Sequence, residues 1–444
     1  MASSTAISKV PLFRTLAARG YASQPAVAAA IKTREIQTTT LPNKLIVTST
    51  ETGTPISRVS ITFRAGARNE TYENQGVSHY MRIAAGLTTK HATTFGITRN
   101  VQQVGGNLFV TSDREATTYV IEVTRDHLET ALQFLEKTAT GQVFKPWEIE
   151  DSTNRVKVDL ANIPDHIRAI ELLHRAAYRT GLGNSIFCQK HKVGKISSET
   201  LQNFYQTNFT ANNASVSGIN IDHNTLTGFA QNLQLPTGEG KINQSNYHGG
   251  VDLRLEKGGR NAAVAVATSG GSWSSIQEGV AFMVLQQVAG VTPNVKYGNS
   301  AGVISKSIQS AAPNTAVCAL NAGYTDSGLF GFVVNGPAKE SGAAVEAGIK
   351  SLKSATITDD DIARGKAQLK SLISFNYESD PNLLIELGLQ SMIFKGVLSL
   401  KDALSAVDAI QASDVKNVAR KLSNKVSIGA VGYLEHVPYA ADFN

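Results

Sequence analysis

Cysteine is nearly absent: Cys188 and Cys318 are the two in 444 residues. So small a number excludes a disulfide framework and fits a reducing compartment. Long apolar runs are missing as well. No stretch approaches the ~18–20 apolar residues that a membrane-spanning helix needs. The longest candidate, Gly279 to Val291, is interrupted by Gln286 and Gln287. Membrane association therefore has to come through partners. Clustered runs of Lys and Arg do not occur, so there is no nucleic-acid footprint. The chain has no P-loop, no G-x-G-x-x-G after a strand and no G-x-S-x-G. What is present, 42% hydrophobic and 18% charged residues, fits a folded protein with room for two domains.

Acidic residues are missing from the N-terminal stretch. From Met1 to Arg34 there is no Asp or Glu, while Lys9, Arg14, Arg19, Lys32 and Arg34 are all basic. Val10, Phe13 and Leu16 form an apolar stripe at near-helical spacing. This composition predicts a mitochondrial transit peptide over residues 1–21. Arg19-Gly20-Tyr21 followed by Ala22 resembles a matrix processing site, with cleavage after Tyr21. Its removal takes away Lys9, Arg14 and Arg19 and lowers the formal charge from +6 to +3.

A catalytic motif is also incomplete. Residues 76–83 read Gly76-Val77-Ser78-His79-Tyr80-Met81-Arg82-Ile83. The inverted zinc motif H-x-x-E-H places two histidines on one helical face and a glutamate beside the metal-bound water. Here His79 keeps the first ligand position, Arg82 stands at the general-base position and Ile83 at the second ligand position. A guanidinium cannot accept a proton at neutral pH and repels a metal ion. An alkyl side chain has no lone pair. No catalytic or metal-binding residue is therefore expected. His79 reads as a hydrogen-bonded packing residue and Arg82 as one half of an ion pair. Asp159, further along the chain, is a single carboxylate, and one carboxylate does not make a site.

The chain is written twice, at a period of roughly 210 residues. The stretch from Ile196 through Leu201 to Ala214–Ile219 and His223 has an echo. It runs from Ile410 through Val415 to Val426–Val431 and His436. Each copy carries a serine followed by an acid, which predicts a capped helix start, and each ends in a short strand. Pro146-Trp147-Glu148 and Thr358-Asp359-Asp360 open matching helices. Val59–Arg68 pairs with Val264–Ser272 as a buried strand ending at glycines. These signals predict an α+β fold of two homologous domains, residues 35–234 and 247–444, joined by a Pro- and Gly-containing linker over 235–246. Each domain is expected to be a mostly antiparallel sheet with helices packed on one face, the pair closing as a clamshell.

Together these residues resemble the pitrilysin-type (M16) inverted-zinc peptidase family and, within it, the non-catalytic core 2 group of the mitochondrial cytochrome bc1 complex. The signature Tyr324-Thr325-Asp326-Ser327-Gly328-Leu329-Phe330-Gly331 carries the resemblance most specifically. Asn294–Ser300, Ala177–Arg179 and Leu182–Ser185 add to it. The resemblance implies a structural and assembly subunit of ubiquinol–cytochrome c reductase, complex III of the respiratory chain. It implies a location at the inner membrane, peripheral and on the matrix side. The implied partners are core protein 1, cytochrome b, cytochrome c1, the Rieske protein, the small subunits and a second copy of the same chain. It implies no cofactor of its own. The alternative is the non-catalytic α subunit of the matrix processing peptidase, which binds presequences for a catalytic β partner. That subunit carries a dense glycine run, whereas residues 291–302 here hold only Gly298 and Gly302.

Overall fold

A computed structural model describes residues 34–238, 240, 243–291, 302–354, 356–422 and 425–444. The expected transit peptide and its processing residues Arg19, Tyr21 and Ala22 lie outside these residues, as do Asn294–Ser300 and linker positions 239, 241 and 242.

In chain order the first half contains β1 (Ile36–Thr40), β2 (Ile46–Thr50), β3 (Ile56–Phe63), α1 (Val77–Ala84), α2 (Thr94–Gln103), β4 (Asn107–Ser112), β5 (Thr117–Thr124), α3 (Leu128–Thr140), α4 (Pro146–Asn162), α5 (Asp165–Tyr178), α6 (Ser198–Asn208), β6 (Ala214–Ile219) and α7 (His223–Asn232). The second contains β7 (Asp252–Glu256), β8 (Asn261–Ser269), α8 (Ile276–Ala289), α9 (Val303–Ala311), β9 (Ala316–Gly323), β10 (Gly328–Pro337), α10 (Ala338–Ser354), α11 (Asp359–Glu378), α12 (Asp380–Phe394), α13 (Leu400–Ala409), α14 (Ala412–Arg420) and β11 (Ser427–Gly432).

The sheets run β1-β2-β6-β3-β5-β4 and β7-β11-β8-β10-β9. Apart from the added edge strand β1, the two orders correspond position by position. Each has one parallel pair, β2 with β6 and β7 with β11, in an otherwise antiparallel sheet. The α+β fold read from the repeat is thus what the chain forms.

Strand alternation gives each sheet two buried faces. On one face of the first sheet, Val59, Ile61, Phe63, Tyr119 and Ile121 pack against helices of their own half. On the corresponding face of the second, Val264, Val266, Phe330, Phe332 and Ile428 do the same. These are the expected helical layers. The opposite faces are covered too, which the sequence reading did not anticipate, and each by a helix of the other half. Helix α5 lies on the second sheet, with Ala169, Leu173 and Ala177 against Ala263, Ala265, Ala267 and Val431. Helix α12 lies on the first, with Leu383, Leu384 and Leu387 against Val120 and Ile219.

Helix starts follow local chemistry. Thr358 caps α11 by accepting the Asp361 N–H at 3.2 Å, and three aspartates occupy its first turn. Ser197 caps α6 through the Thr200 N–H at 3.2 Å. The serines that directly precede an acid, Ser198 and Ser413, both lie inside the first turn instead. In α14 Gln411, two residues before Ser413, holds the cap position and its N–H donates to the Asp414 carboxylate at 2.9 Å.

Candidate functional site

Helix α1 presents the broken motif, and two devices position it. Gly76 at its start holds φ 96°, and a Cβ there would come within 2.7 Å of the Cys188 Sγ. Glycine alone satisfies both constraints. Glu70, buried in the preceding loop, closes the helix N-terminus. Its carboxylate accepts the N–H groups of Gly76 at 2.9 Å and Ser78 at 2.8 Å, and the Ser78 hydroxyl at 2.5 Å. A carboxylate at a helix N-terminus answers its free amides and its dipole. Burial pushes the Glu70 carboxyl up to about 7 against the pull of these donors.

His79 is wholly buried. Its Nδ1 accepts the Cys188 N–H at 3.1 Å. In the neutral ring the proton is therefore on Nε2, which donates to Asp159 Oδ2 at 3.2 Å. Burial and the nearby Arg82 cation hold the imidazole below its ordinary range, outweighing the Asp159 carboxylate. Asp159 arrives from α4 and also accepts Arg82 Nη2 at 2.6 Å. Phe187 packs edge-on against the His79 ring, with centroids 5.8 Å apart. Ile83 is buried in the core of its half.

The residues do not fit a zinc ion. The Nδ1 lone pair of His79 is engaged by a backbone amide, and Nε2 carries hydrogen instead of a lone pair. The carboxylate that could ligate is turned to a guanidinium, and Ile83 offers nothing. Among the described residues no group of three or more His, Cys, Asp or Glu converges on a metal-sized site. Cys188 does not replace them, because burial, and next Glu70, push its thiol up to about 12. A thiol that stays protonated is neither nucleophile nor ligand.

The signature segment lies elsewhere and joins the halves. Tyr324 to Ser327 form the turn between β9 and β10, closed by the Tyr324 N–H to Ser327 carbonyl bond of 2.8 Å. Asp326 neither caps this turn nor stands free. It takes the guanidinium of Arg68, from the first half. Arg68 is 2% exposed and also holds Glu115 at 2.5 Å and the Asn243 carbonyl at 2.9 Å. Thr325 donates its hydroxyl to Glu115 at 2.6 Å. The Tyr324 hydroxyl meets His174 Nε2 at 2.8 Å, and Tyr178 meets Ser327 at 3.1 Å. Gly328 opens β10, Phe330 fills the second core, and Gly331 pairs with Ala267 of β8. Asn243 and Ser245, in the stretch expected to be a linker, are bound into this seam, Ser245 by donating its N–H to Asp326 at 3.3 Å.

Sequence comparison bears on both features. The model of the family described as Insulinase (Peptidase family M16) matches residues 45–190. That described as Peptidase M16 inactive domain matches residues 195–369. The chain belongs to peptidase family M16. Within it, the chain is 33% identical over 438 residues to the cytochrome b-c1 complex subunit 2, mitochondrial, of Rattus norvegicus, covering 97% of this chain and 95% of that one. It is 33% identical over 418 residues to the protein of the same name from Homo sapiens, covering 91% of each. Identity to the probable mitochondrial-processing peptidase subunit alpha-1 of Arabidopsis thaliana is 24% over 439 residues, 95% of this chain and 86% of that one. The second matched M16 domain is an inactive one by description, which fits a non-catalytic role.

The sequence pointed to His79, Arg82, Ile83 and Asp159. It did not point to Glu70, the Cys188 amide or the Arg68–Glu115 pair. Those depend on loop paths that no local pattern announces.

Proposed function

We propose that this chain is a non-catalytic structural and assembly subunit of the mitochondrial ubiquinol–cytochrome c reductase. It holds core protein 1, cytochrome c1, cytochrome b, the Rieske protein and a second copy of itself together through large obligate interfaces. It sits peripherally on the matrix side of the inner membrane and carries no redox centre. The observation that carries this reading is the 33% identity, over nearly the whole length of both chains, to cytochrome b-c1 complex subunit 2. The engaged His79 and the Arg82–Asp159 pair support the lack of peptidase activity. Among the described residues no helix is long and apolar enough to cross a membrane, which is compatible with peripheral attachment.

A native gel of mildly solubilised mitochondrial membranes, probed for this chain and for cytochrome c1, tests the assignment. Co-migration in one large complex is expected. Migration as a small heterodimer without cytochrome c1 would overturn it. N-terminal sequencing of the mature chain checks the processing residues: cleavage after Tyr21 leaves Ala22 first.

The 24% identity to a processing-peptidase α subunit keeps a second reading, presequence binding for a catalytic β partner. Presequence cleavage by the purified chain mixed with such a partner is the result that favours it.

A further inference from the structure

The two sheets differ by one strand, and the difference leaves an edge open. In the first sheet β1 lies antiparallel on the outer edge of β2. In the second, β7 stands where β2 stands, parallel to β11 as β2 is to β6, and is itself the edge. What precedes each strand explains this. Residues 36–40 reach β2 through a tight turn, closed by the Lys44 N–H to Leu41 carbonyl bond of 2.9 Å, and so lie along it. The residues before β7 are drawn into the seam instead. Asn243 is held by Arg68 and Ser245 by Asp326, and the His248 N–H donates to the Ala177 carbonyl at 2.8 Å. Burial follows: β2 is buried at all five positions and β7 at none, with Leu255 40% exposed.

Register fixes which main-chain groups are open. The Ile428 N–H donates to the Val251 carbonyl at 3.1 Å, and the Lys257 N–H to the Gly432 carbonyl at 3.0 Å. In a parallel pair, alternate residues of a strand give both main-chain groups to the same neighbour. Leu253 and Leu255 therefore face β11, and the N–H and C=O groups of Asp252, Arg254 and Glu256 face away from it. Among the described residues none bonds them. The main packing neighbours of β7 are β11 beside it and α5 across one face. A row of unpaired edge groups is a template for a further strand. The charges on β7 do not close this edge. Arg254 turns back onto its own half, pairing with Asp252 at 2.8 Å, donating to the Val437 and Pro438 carbonyls at 3.0 and 2.7 Å, and stacking 3.7 Å from the Tyr439 ring centre. Lys257 is held by Asp165 of α5. Glu256 pairs in register with Gly432, which brings Tyr433 and its acceptor Glu435 to the same end. Among the described residues neither glutamate has a cation within ion-pair distance.

We propose that the outer edge of β7 takes an extended segment of a partner polypeptide as a sixth strand, antiparallel, as β1 lies on β2. Main-chain bonds supply the attachment and alternate side chains the choice of partner. Leu253 and Leu255 share one face of β7, so the residues opposite them are apolar. Glu256 ends β7, so the residue opposite it is at the N-terminal end of the incoming segment, and it is Lys or Arg. A second copy of this chain does not meet these terms. Pairing β7 with β7 along its whole length sets Arg254 against Arg254 and Glu256 against Asp252, and like charges directly opposite are destabilising. The inference rests on the reading that the chain works within an assembly, and adds where and how one partner attaches.

Hydrogen exchange resolved to single amides tests it, in the isolated mature chain and in the particle that the chain purifies in from mild detergent. In the isolated chain the amides of Asp252, Arg254 and Glu256 should exchange fast, and those of Leu253 and Leu255 slowly. In the particle the first three should slow by about tenfold or more. Glu256→Pro removes one outward N–H at an edge, where proline is tolerated. It should abolish the protection of Asp252 and Arg254 in the particle and leave the melting temperature of the isolated chain unchanged. Should that variant not fold, Glu256→Gln keeps the main chain and should weaken the protection severalfold. A particle that contains cytochrome c1 but leaves the three amides fast overturns the inference and leaves the assembly reading standing. Protection without cytochrome c1 does the reverse. Protection that survives in the Glu256 variants, or that grows with concentration in the isolated chain, overturns the partner strand, the latter in favour of a second copy.

Discussion

Helix α5 meets the second sheet on alanine and glycine, whereas α12 meets the first sheet on serine and threonine. Under α5 lie Ala263, Ala265, Ala267 and Gly429, and the backbones come so close that a Cβ on Gly429 would overlap the Ala169 carbonyl and the Leu173 amide. Under α12 lie Thr48, Thr62, Ser215 and Ser217, all buried, and contact is made partly by hydroxyl bonds to Gly388 and Ser391. Four of the hydroxyls on this sheet, those of Thr50, Ser60, Tyr119 and Ser217, are buried without a protein partner. Strand order is shared, but the seams differ. One is close-packed. The other trades packing for hydrogen bonds whose net contribution is about 1 kcal/mol each. The exchange of helices is therefore reciprocal in topology and unequal in strength.

The most damaging change should be at the residue both halves share. Arg68→Ala leaves Glu115 buried and Asp326 uncompensated, and removing one partner of a buried pair costs about 3–5 kcal/mol. Urea unfolding of the full chain should show this loss, with the halves no longer unfolding in one transition. A loss under 1 kcal/mol would mean the seam holds without its ion network.

The comparison itself is sharpened by two alanine substitutions. Gly429→Ala pushes against backbone of α5 and should cost about 1–3 kcal/mol. Gly388→Ala meets the Thr62 hydroxyl, 2.5 Å from the new Cβ, whose displacement costs its 3.1 Å bond to Thr118, a net contribution of about 1 kcal/mol. It also gains helix propensity of about 1 kcal/mol, so its net effect should be near zero. Equal losses in chemical denaturation would erase the distinction between the seams.

Acid should loosen the α5 seam first. His174 on α5 donates from Nδ1 to the Ile170 carbonyl and accepts the Tyr324 hydroxyl at Nε2. Burial, and next the Arg114 cation, hold it well below its ordinary range, so the native ring stays neutral. The unfolded chain takes up that proton near pH 6.5 and the native chain does not. Stability therefore falls as pH drops below ~6.5, by up to about 1.4 kcal/mol per pH unit. His79 adds a change of the same sign. Helix α12 contains no histidine. His174→Gln should flatten the measured pH dependence between pH 7 and 5, and an unchanged slope would remove His174 from the account.

The smallest effect concerns an unpartnered hydroxyl. Ser217→Ala removes a buried polar group that has no bond to lose, so stability should stay level or rise by about 1 kcal/mol. A clear loss in thermal unfolding would show that the hydroxyl has a water partner.

Much of this architecture was legible beforehand, and the reasons are local. The echo of Ala214–Ile219 in Val426–Val431 announced β6 and β11, one strand of each parallel pair. Spacing within α1 announced that Arg82 and Ile83 replace a base and a ligand. The helix exchange was not legible. Asp165–Tyr178 reads as an ordinary amphipathic helix, and nothing in its periodicity says which sheet it covers. Ser413 misled because a serine beside an acid occurs inside a first turn as readily as at its cap. Glu70 was invisible for a similar reason: its partners are amides of a helix six to eight residues on.

The hydroxyl lining of the first sheet has a consequence for synthesis. A chain is made from its N-terminus, and domains form as they emerge. Helix α5 precedes the sheet it covers, so the alanine face finds its lid waiting. The first sheet is complete at Ile219, more than 150 residues before Asp380 begins the helix that covers it. During that interval its bare face meets solvent, and serine and threonine are side chains that water wets. The half that must wait is the half that can be left open.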